Sequence, residues 1–252
     1  MAPADRTMNR DPSQAFLRTV KLRRDWVASF DVFPYSIPAI KHLHTLELHP
    51  RVTFFVGENG TGKSTLLEAI AVAEGFNAEG GSRHAMFKTQ DTHNEDLPRK
   101  LQLGRNKIPR SDSYFLRAES FYNLSSYLGE IGAPGYGDKP LHQQSHGEAF
   151  LSLMAERLTG NGLYLMDEPE AALSPQRQLA FLAALHDLVG KGGQFLIATH
   201  SPIIMAYPDA AILHFTASGI VPIAYEDTEH YKVTRAFIMR RELMLGELLS
   251  DS

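Results

Sequence analysis

Cysteine is absent from the 252 residues, which excludes disulfide frameworks, zinc–thiolate sites and thiol catalysis. No apolar run approaches the length that spans a bilayer. Met1–Pro12 also lacks the apolar centre of a secretion signal, so a cytoplasmic chain with no transmembrane segment of its own is the expectation. The formal charge is only -4, too small to coat nucleic acid by net charge, although a local patch stays possible. Heptads are missing from residues 77–112, so long coiled-coil arms are not expected. With 43% apolar and 21% charged residues, the chain reads as one large domain, or one domain carrying an insertion.

One stretch organises the rest. Arg51–Val56 is β-branched and aromatic and predicts a short buried strand. After Lys63, apolar residues at Leu66, Leu67, Ile70 and Ala71 have the spacing of a helix that buries one stripe. Between them lies Gly57-Glu58-Asn59-Gly60-Thr61-Gly62-Lys63-Ser64-Thr65, the G-x-x-x-x-G-K-S phosphate-binding loop in the strand–loop–helix context it requires. Its glycines let successive backbone N–H groups converge on phosphate oxygens, and the helix N-terminus adds its positive dipole end. Lys63 is expected to reach the β- and γ-phosphates of ATP, and the Ser64 hydroxyl to ligate Mg²⁺.

The other segments fall around that loop. Phe16–Pro50 predicts a few antiparallel strands. Its aromatics Trp26, Phe33 and Tyr35 read as sheet core, or as a stacking platform for adenine. Asn77–Arg110 is polar and poor in aliphatics, and predicts a surface insertion, partly helical around Leu97–Leu103. Between Arg83 and Arg110 it carries seven Lys/Arg against three Asp/Glu, either a solvated face or a contact surface for nucleic acid or an acidic partner. Ser113–Glu119 reads as a strand that ends in polar groups.

Leu163–Met166 is a continuous apolar run, expected to be a central parallel strand covered on both faces. It ends in Asp167-Glu168-Pro169-Glu170, at the strand end where open α/β sheets hold ligands. Asp167 is expected in the Mg²⁺ shell, and Glu168 to polarise the attacking water. Gln176–Val189 predicts an amphipathic helix with Leu179, Leu182, Leu185 and Leu188 near one face. Gln194–His200 predicts a further buried strand that brings His200 to the same sheet edge. From Ala211 a hairpin turning at Gly219 is expected, followed by helices from about Thr228 and no evident chemistry in that tail.

These pieces together resemble the ABC-type ATPases: a Walker A loop at Gly57–Thr65, a Walker B strand at Leu163–Glu168 and a switch histidine at His200. Ser145-His146-Gly147-Glu148 falls where that superfamily carries its signature. Asp167–Pro175 and Ala198–Pro202 look most like small soluble bacterial "AAA family" predicted ATPases, relatives of repair and chromosome-maintenance (SMC-type) ATPases. The resemblance implies a P-loop α/β fold with a mostly parallel central sheet, an N-terminal antiparallel β portion and a small helical or loop insertion. One domain over 1–252 is implied, with the insertion and signature subdomain at 77–150.

The resemblance further implies an ATP-dependent homodimer closed head to tail. Ser145 and Gly147 would bind the γ-phosphate in trans, and His200 would stabilise the transition state. Three departures stand out. His146 and Glu148 replace usual signature residues, Ser174 stands where transporters carry Asp, and Glu119 is the best substitute for the metal-sensing Gln. The leading expectation is a soluble ATPase coupled, in repair or defence, to nucleic acid or a protein through Arg83–Arg110. The nucleotide-binding subunit of a membrane transporter is the alternative, and a phosphate-transferring kinase a third class.

Overall fold

The computed structural model describes residues 11–78, 80–82, 96–117 and 146–250. In chain order the strands and helices are β1 (Leu17–Leu22), α1 (Pro38–Lys41), β2 (Thr45–Glu47), β3 (Val52–Val56), α2 (Lys63–Ala73), β4 (Gly81–Ser82), α3 (Asp96–Lys100), β5 (Leu101–Arg105) and β6 (Asp112–Arg117). They continue with α4 (His146–Arg157), β7 (Gly162–Asp167), α5 (Pro175–Gly190), β8 (Gln194–Ala198), β9 (Ala211–Thr216), β10 (Gly219–Pro222), α6 (Glu229–Met239) and α7 (Arg241–Leu249).

Two sheets result. The larger runs β10-β9-β3-β8-β7-β6-β4. Its five inner strands are mutually parallel, and β10 and β4 close the two ends in antiparallel pairing. The smaller sheet, β2-β1-β5, is antiparallel throughout. The fold is therefore α/β, mostly parallel, with an antiparallel β portion from the N-terminal part, as expected from sequence.

Strand composition explains the layering. In β7, Leu163 and Leu165 join the apolar cluster on one face, whereas Tyr164 and Met166 join the cluster on the other. β8 divides the same way, Leu196 and Ala198 against Phe195 and Ile197. Such strands need cover on both sides, hence the unbroken apolar runs. Cover on the first face comes from α2, whose Leu66, Leu67 and Ile70 share a cluster with Leu17, Val20 and Leu46 of the antiparallel sheet. Cover on the second comes from α4 and α5, through Phe150, Leu153, Phe181 and Leu185. Buried Gln194 ties the two sheets together: its Oε1 accepts from Leu17 N at 2.8 Å, and its Nε2 donates to Leu17 O at 2.6 Å.

Several expectations need correction. Leu101–Arg105, which sequence assigned to a surface insertion, is a full partner of β1. Its basic residues are largely spoken for. Arg105 and Arg110 both pair with the buried Glu74, at 2.6 and 2.9 Å, and Lys100 pairs with Asp96 at 2.6 Å. Residues 83–95 of that basic stretch lie outside the described residues. Trp26 and Phe33 are exposed rather than sheet core, and Tyr35 alone is buried, donating to Asp96 Oδ2 at 2.9 Å. On α5 the inward residues are Phe181, Leu185, Leu188 and Val189, while Leu179 faces out. No helix among the described residues is long and apolar enough to cross a membrane.

Candidate active site

The site forms at the carboxyl ends of β3, β7 and β8, neighbouring strands of the sheet. The loop after β3 turns sharply and enters α2 without a side-chain cap. Gly62 occupies the N-cap position at φ 96° and ψ 15°, a region closed to L side chains. Space forbids a side chain as well, because a Cβ there would lie 2.7 Å from Ile37 Cγ2. Glu58, Asn59 and Gly60 form the exposed rim of the loop. Thr61 donates from Oγ1 to Glu58 O at 2.8 Å, and Thr65 lies half-buried in the first turn of α2. The first N–H groups of that turn have no intrahelical acceptor and so present donors to an anion.

Lys63 is only 4% exposed, and its Nζ donates to Gly57 O and Glu58 O, each at 2.8 Å. Burial lowers its pKa, opposed by the nearby carboxylates of Glu168, Asp167, Glu170 and Glu58. Ser64, the next residue, turns the other way and donates from Oγ to Asp167 Oδ1 at 2.8 Å. Residues 103 positions apart in sequence thus meet, as a hydroxyl and a carboxylate at the mouth of the phosphate loop. Asp167 is nearly buried, and its Oδ2 lies 3.7 Å from Arg117 Nε at the end of β6. Arg117 also donates to Glu68 Oε2 of α2 at 2.9 Å.

Glu168 follows with φ 50° and ψ 53°. A left-handed conformation at a carboxylate-bearing residue is strained, and strain of this sort collects at functional sites. Glu168 N donates to Ala198 O at 2.9 Å, linking the ends of β7 and β8, and the side chain is left 43% exposed. Its Oε1 stands 3.6 Å from His200 Nε2.

Glu170 holds His200 in place from below. Its Oε2 accepts from Thr199 Oγ1 at 2.8 Å, and its Oε1 accepts from the His200 backbone N–H. Burial raises the Glu170 pKa, opposed by these hydrogen bonds. Burial first, then the Lys63 charge and His230, push the His200 imidazole down to about 4, so it is neutral at pH 7. Its Nδ1 is bonded to His230 Nε2 at 2.9 Å.

The remaining sequence candidates are placed unevenly. Gly147 opens α4 and packs beneath α5: a Cβ there would meet Arg177 Cδ at 2.7 Å and Ala172 O at 2.9 Å. Glu148 pairs with Arg177 at 3.1 Å. Ser174 is the N-cap of α5, its hydroxyl accepting from Arg177 N, a role that Asp fills equally well. Ser145 and Glu119 lie outside the described residues. Three residues of the site were missed from sequence. Arg117 and Glu170 stood inside quoted motifs without a role, and His230 carries no local signal at all.

Comparison with known proteins converges on the same region. A family model described as "AAA domain" matches residues 32–117, and one described as "AAA domain, putative AbiEii toxin, Type IV TA system" matches residues 87–206. The cobalt import ATP-binding protein CbiO of Salmonella typhimurium is 26% identical over 235 residues, covering 83% of this chain and 86% of that protein. The cytochrome c biogenesis ATP-binding export protein CcmA of Vibrio vulnificus is 30% identical over 167 residues, covering 60% of this chain and 80% of that protein. The SMC head domain from Thermotoga maritima has a TM-score of 0.47 at 16% identity, over 82% of this chain and 99% of that chain, too slight a likeness to weigh between transport and chromosome-maintenance relatives. The phosphate loop, the paired carboxylates and the strand-end histidine at one sheet edge, with these relatives, make the chain a nucleotide-binding, ATP-hydrolysing member of the ABC-type ATPase superfamily.

Proposed function

We propose that this chain hydrolyses Mg-ATP as a head-to-tail dimer and is the energising subunit of a separately encoded membrane partner. The hydrolytic part rests above all on one observation: Lys63, Ser64, Asp167, Glu168 and His200 come together from three strand ends. Each has a role that its position supports. Lys63, which donates to two loop carbonyls, exchanges these for β- and γ-phosphate oxygens. Glu168 is exposed enough to meet water and accepts a hydrogen bond from the attacking molecule. His200, neutral and aimed past Glu168, donates to the γ-phosphate as charge builds there.

The donor set suits Mg²⁺. One hydroxyl and one carboxylate, Ser64 and Asp167, meet at 2.8 Å. Among the described residues no cluster of three or more acidic or histidine ligands forms a closed cage. Mg²⁺ is bound in just this way, by one or two protein oxygens with phosphates and water filling the shell. When bound it supplies charge neutralisation at the β- and γ-oxygens. Glu119, a third candidate ligand, lies outside the described residues.

The dimer rests on the resemblance of the signature. Gly147 is buried against Ala172 and Arg177 of its own chain, which accounts for the glycine by packing; contact of the signature with a phosphate held by a second copy is what the resemblance implies. Glu168→Gln, which keeps nucleotide and blocks turnover, is expected to elute as a dimer with ATP and Mg²⁺ on a sizing column; a monomer under those conditions overturns the sandwich.

The membrane partner is favoured by the relatives, which are import and export ATP-binding proteins. The pairing of Arg105 and Arg110 with Glu74 speaks against the nucleic-acid surface expected from sequence. A second reading, a defence ATPase without a membrane partner, is supported by the family description that names a toxin. Sedimentation of the tagged chain with membranes, beside its ATPase rate with and without double-stranded DNA, separates the two. Membrane retention that is lost when detergent extracts the integral proteins supports the first. A chain that does not sediment with membranes supports the second, and stimulation by DNA that fades with salt supports a nucleic-acid ATPase instead.

A further inference from the structure

His200 sits between two constraints, and only one of them belongs to the motifs already described. Its backbone N–H is held by Glu170, and its ring by His230 in the first turn of α6. The rings approach with centroids 5.0 Å apart at 64°, an edge-on geometry that directs His230 Nε2 at His200 Nδ1. The opposite nitrogen, His200 Nε2, is buried without a hydrogen-bond partner and faces Glu168 Oε1 at 3.6 Å.

A neutral imidazole carries one N–H, so this geometry poses a choice between two tautomers. With the proton on Nδ1, His200 would donate to His230 and turn a lone pair toward the Glu168 carboxylate. With the proton on Nε2, the N–H points at the carboxylate, and Nδ1 accepts from His230. The first arrangement sets two acceptors against each other beside a site built for anions, whereas the second turns an N–H toward the carboxylate at 3.6 Å, beyond hydrogen-bond reach but attractive in sign. Which ring nitrogen is protonated is set by the bond that the other nitrogen makes.

We infer that His230 is a positioning residue of the ATPase: its Nε2–H donates to His200 Nδ1 and keeps the His200 proton on Nε2, the nitrogen that faces Glu168 and the phosphate loop. The neighbours agree. His230 faces Lys63, Glu58, Glu229 and His214, and His200 faces Lys63, Glu58 and Glu168. Burial and the Lys63 charge lower the pKa of both imidazoles, so neither ring gains a second proton that would blur the choice. Because His230 belongs to α6, the C-terminal helix pair is joined by one hydrogen bond to the hydrolytic centre. The inference rests on His200 as the γ-phosphate donor.

The test uses the full chain and compares His230→Gln, His230→Glu and His230→Leu with His200→Ala. Steady-state hydrolysis gives kcat, and titration with a non-hydrolysable ATP analogue and Mg²⁺ gives Kd. Gln offers an N–H donor, Glu only an acceptor, and the two are nearly the same size. His230→Gln is expected to hold kcat within about threefold, His230→Leu to lose roughly tenfold, and His230→Glu about a hundredfold, since a misdirected donor costs nearly what its removal does. Kd should stay within about twofold throughout, as uniform binding is untouched. Equal kcat in all three variants overturns the inference, and so does an equal fall accompanied by weaker Kd, which would mark a packing role. If His230→Leu does not fold, the Gln and Glu pair decides alone. If His200→Ala keeps its kcat, the assignment of His200 fails; if it loses kcat while the His230 variants do not, only the role of His230 fails.

Discussion

Replacing Gly62 by Ala tests why the phosphate loop has the sequence it has. Two penalties follow from the structure. At φ 96° an L residue sits outside its allowed wells, a cost of about 1–2 kcal/mol. The new methyl would also lie 2.7 Å from Ile37 Cγ2, and relieving such overpacking costs about 1–3 kcal/mol. Together they give roughly 2–5 kcal/mol, which lowers the melting temperature of a domain this size by roughly 5–15 °C. The second penalty has a specific remedy. Ile37→Leu removes the offending branch at Cβ and keeps the volume, so the double variant should regain about 1–3 kcal/mol and retain the backbone cost. Thermal and urea melts of both single variants and the pair measure each part. A Gly62→Ala change costing under about 0.5 kcal/mol refutes the whole argument. An additive pair refutes the steric half.

Further outcomes can be checked with the same protein. Ser64→Ala removes the hydroxyl that meets Asp167, so the Mg²⁺ concentration for half-maximal hydrolysis should rise at least ~10-fold; an unchanged Mg²⁺ titration contradicts the ligand assignment. Glu74→Ala strands Arg110 and Arg105. Breaking a buried pair costs about 3–5 kcal/mol, and the half-exposure of Arg105 puts the expected loss near the lower figure, read from urea unfolding. His200 gives a pH dependence. Its pKa falls from an ordinary 6.5 to about 4 on folding, so the unfolded chain binds the extra proton between those values. The stabilisation is therefore complete above about pH 6.5 and lost as pH falls toward 4. His200→Gln should flatten the decline in melting temperature between pH 6.5 and 4.5, and an equal decline in both proteins contradicts the depressed value.

How much of this was legible depends on how local each signal is. The phosphate loop is nine consecutive residues whose neighbours declare a strand and a helix, and both formed as expected. β7 and β8 were legible because a strand buried on both faces leaves a continuous apolar run. The final hairpin formed with Gly219 at its turn, and the helices that follow start next to Thr228, both as expected. β5 was not, because Leu101-Gln-Leu-Gly-Arg105 looks polar alone and becomes a strand through its pairing with β1. Strand preference is mostly a property of neighbours. The exposed Trp26 and Phe33 were misread for the related reason that aromatics raise strand expectation whether or not they face inward. Leu179 fits a helical stripe by number and still faces out, because the buried arc of α5 is centred on Phe181 and Leu185. His230 was invisible from sequence. Thirty residues separate it from His200, and only the return of α6 to the sheet edge brings the rings together.

The most direct test of the ATPase site is phosphate release by the purified chain with Mg-ATP, measured beside Glu168→Gln and Lys63→Ala. The account predicts that Glu168→Gln binds the nucleotide as the parent does and loses at least ~10²-fold in kcat, while Lys63→Ala loses binding as well. Turnover by Glu168→Gln at the parent rate, with nucleotide binding intact in both, would contradict the assignment of Glu168 and the site built around it.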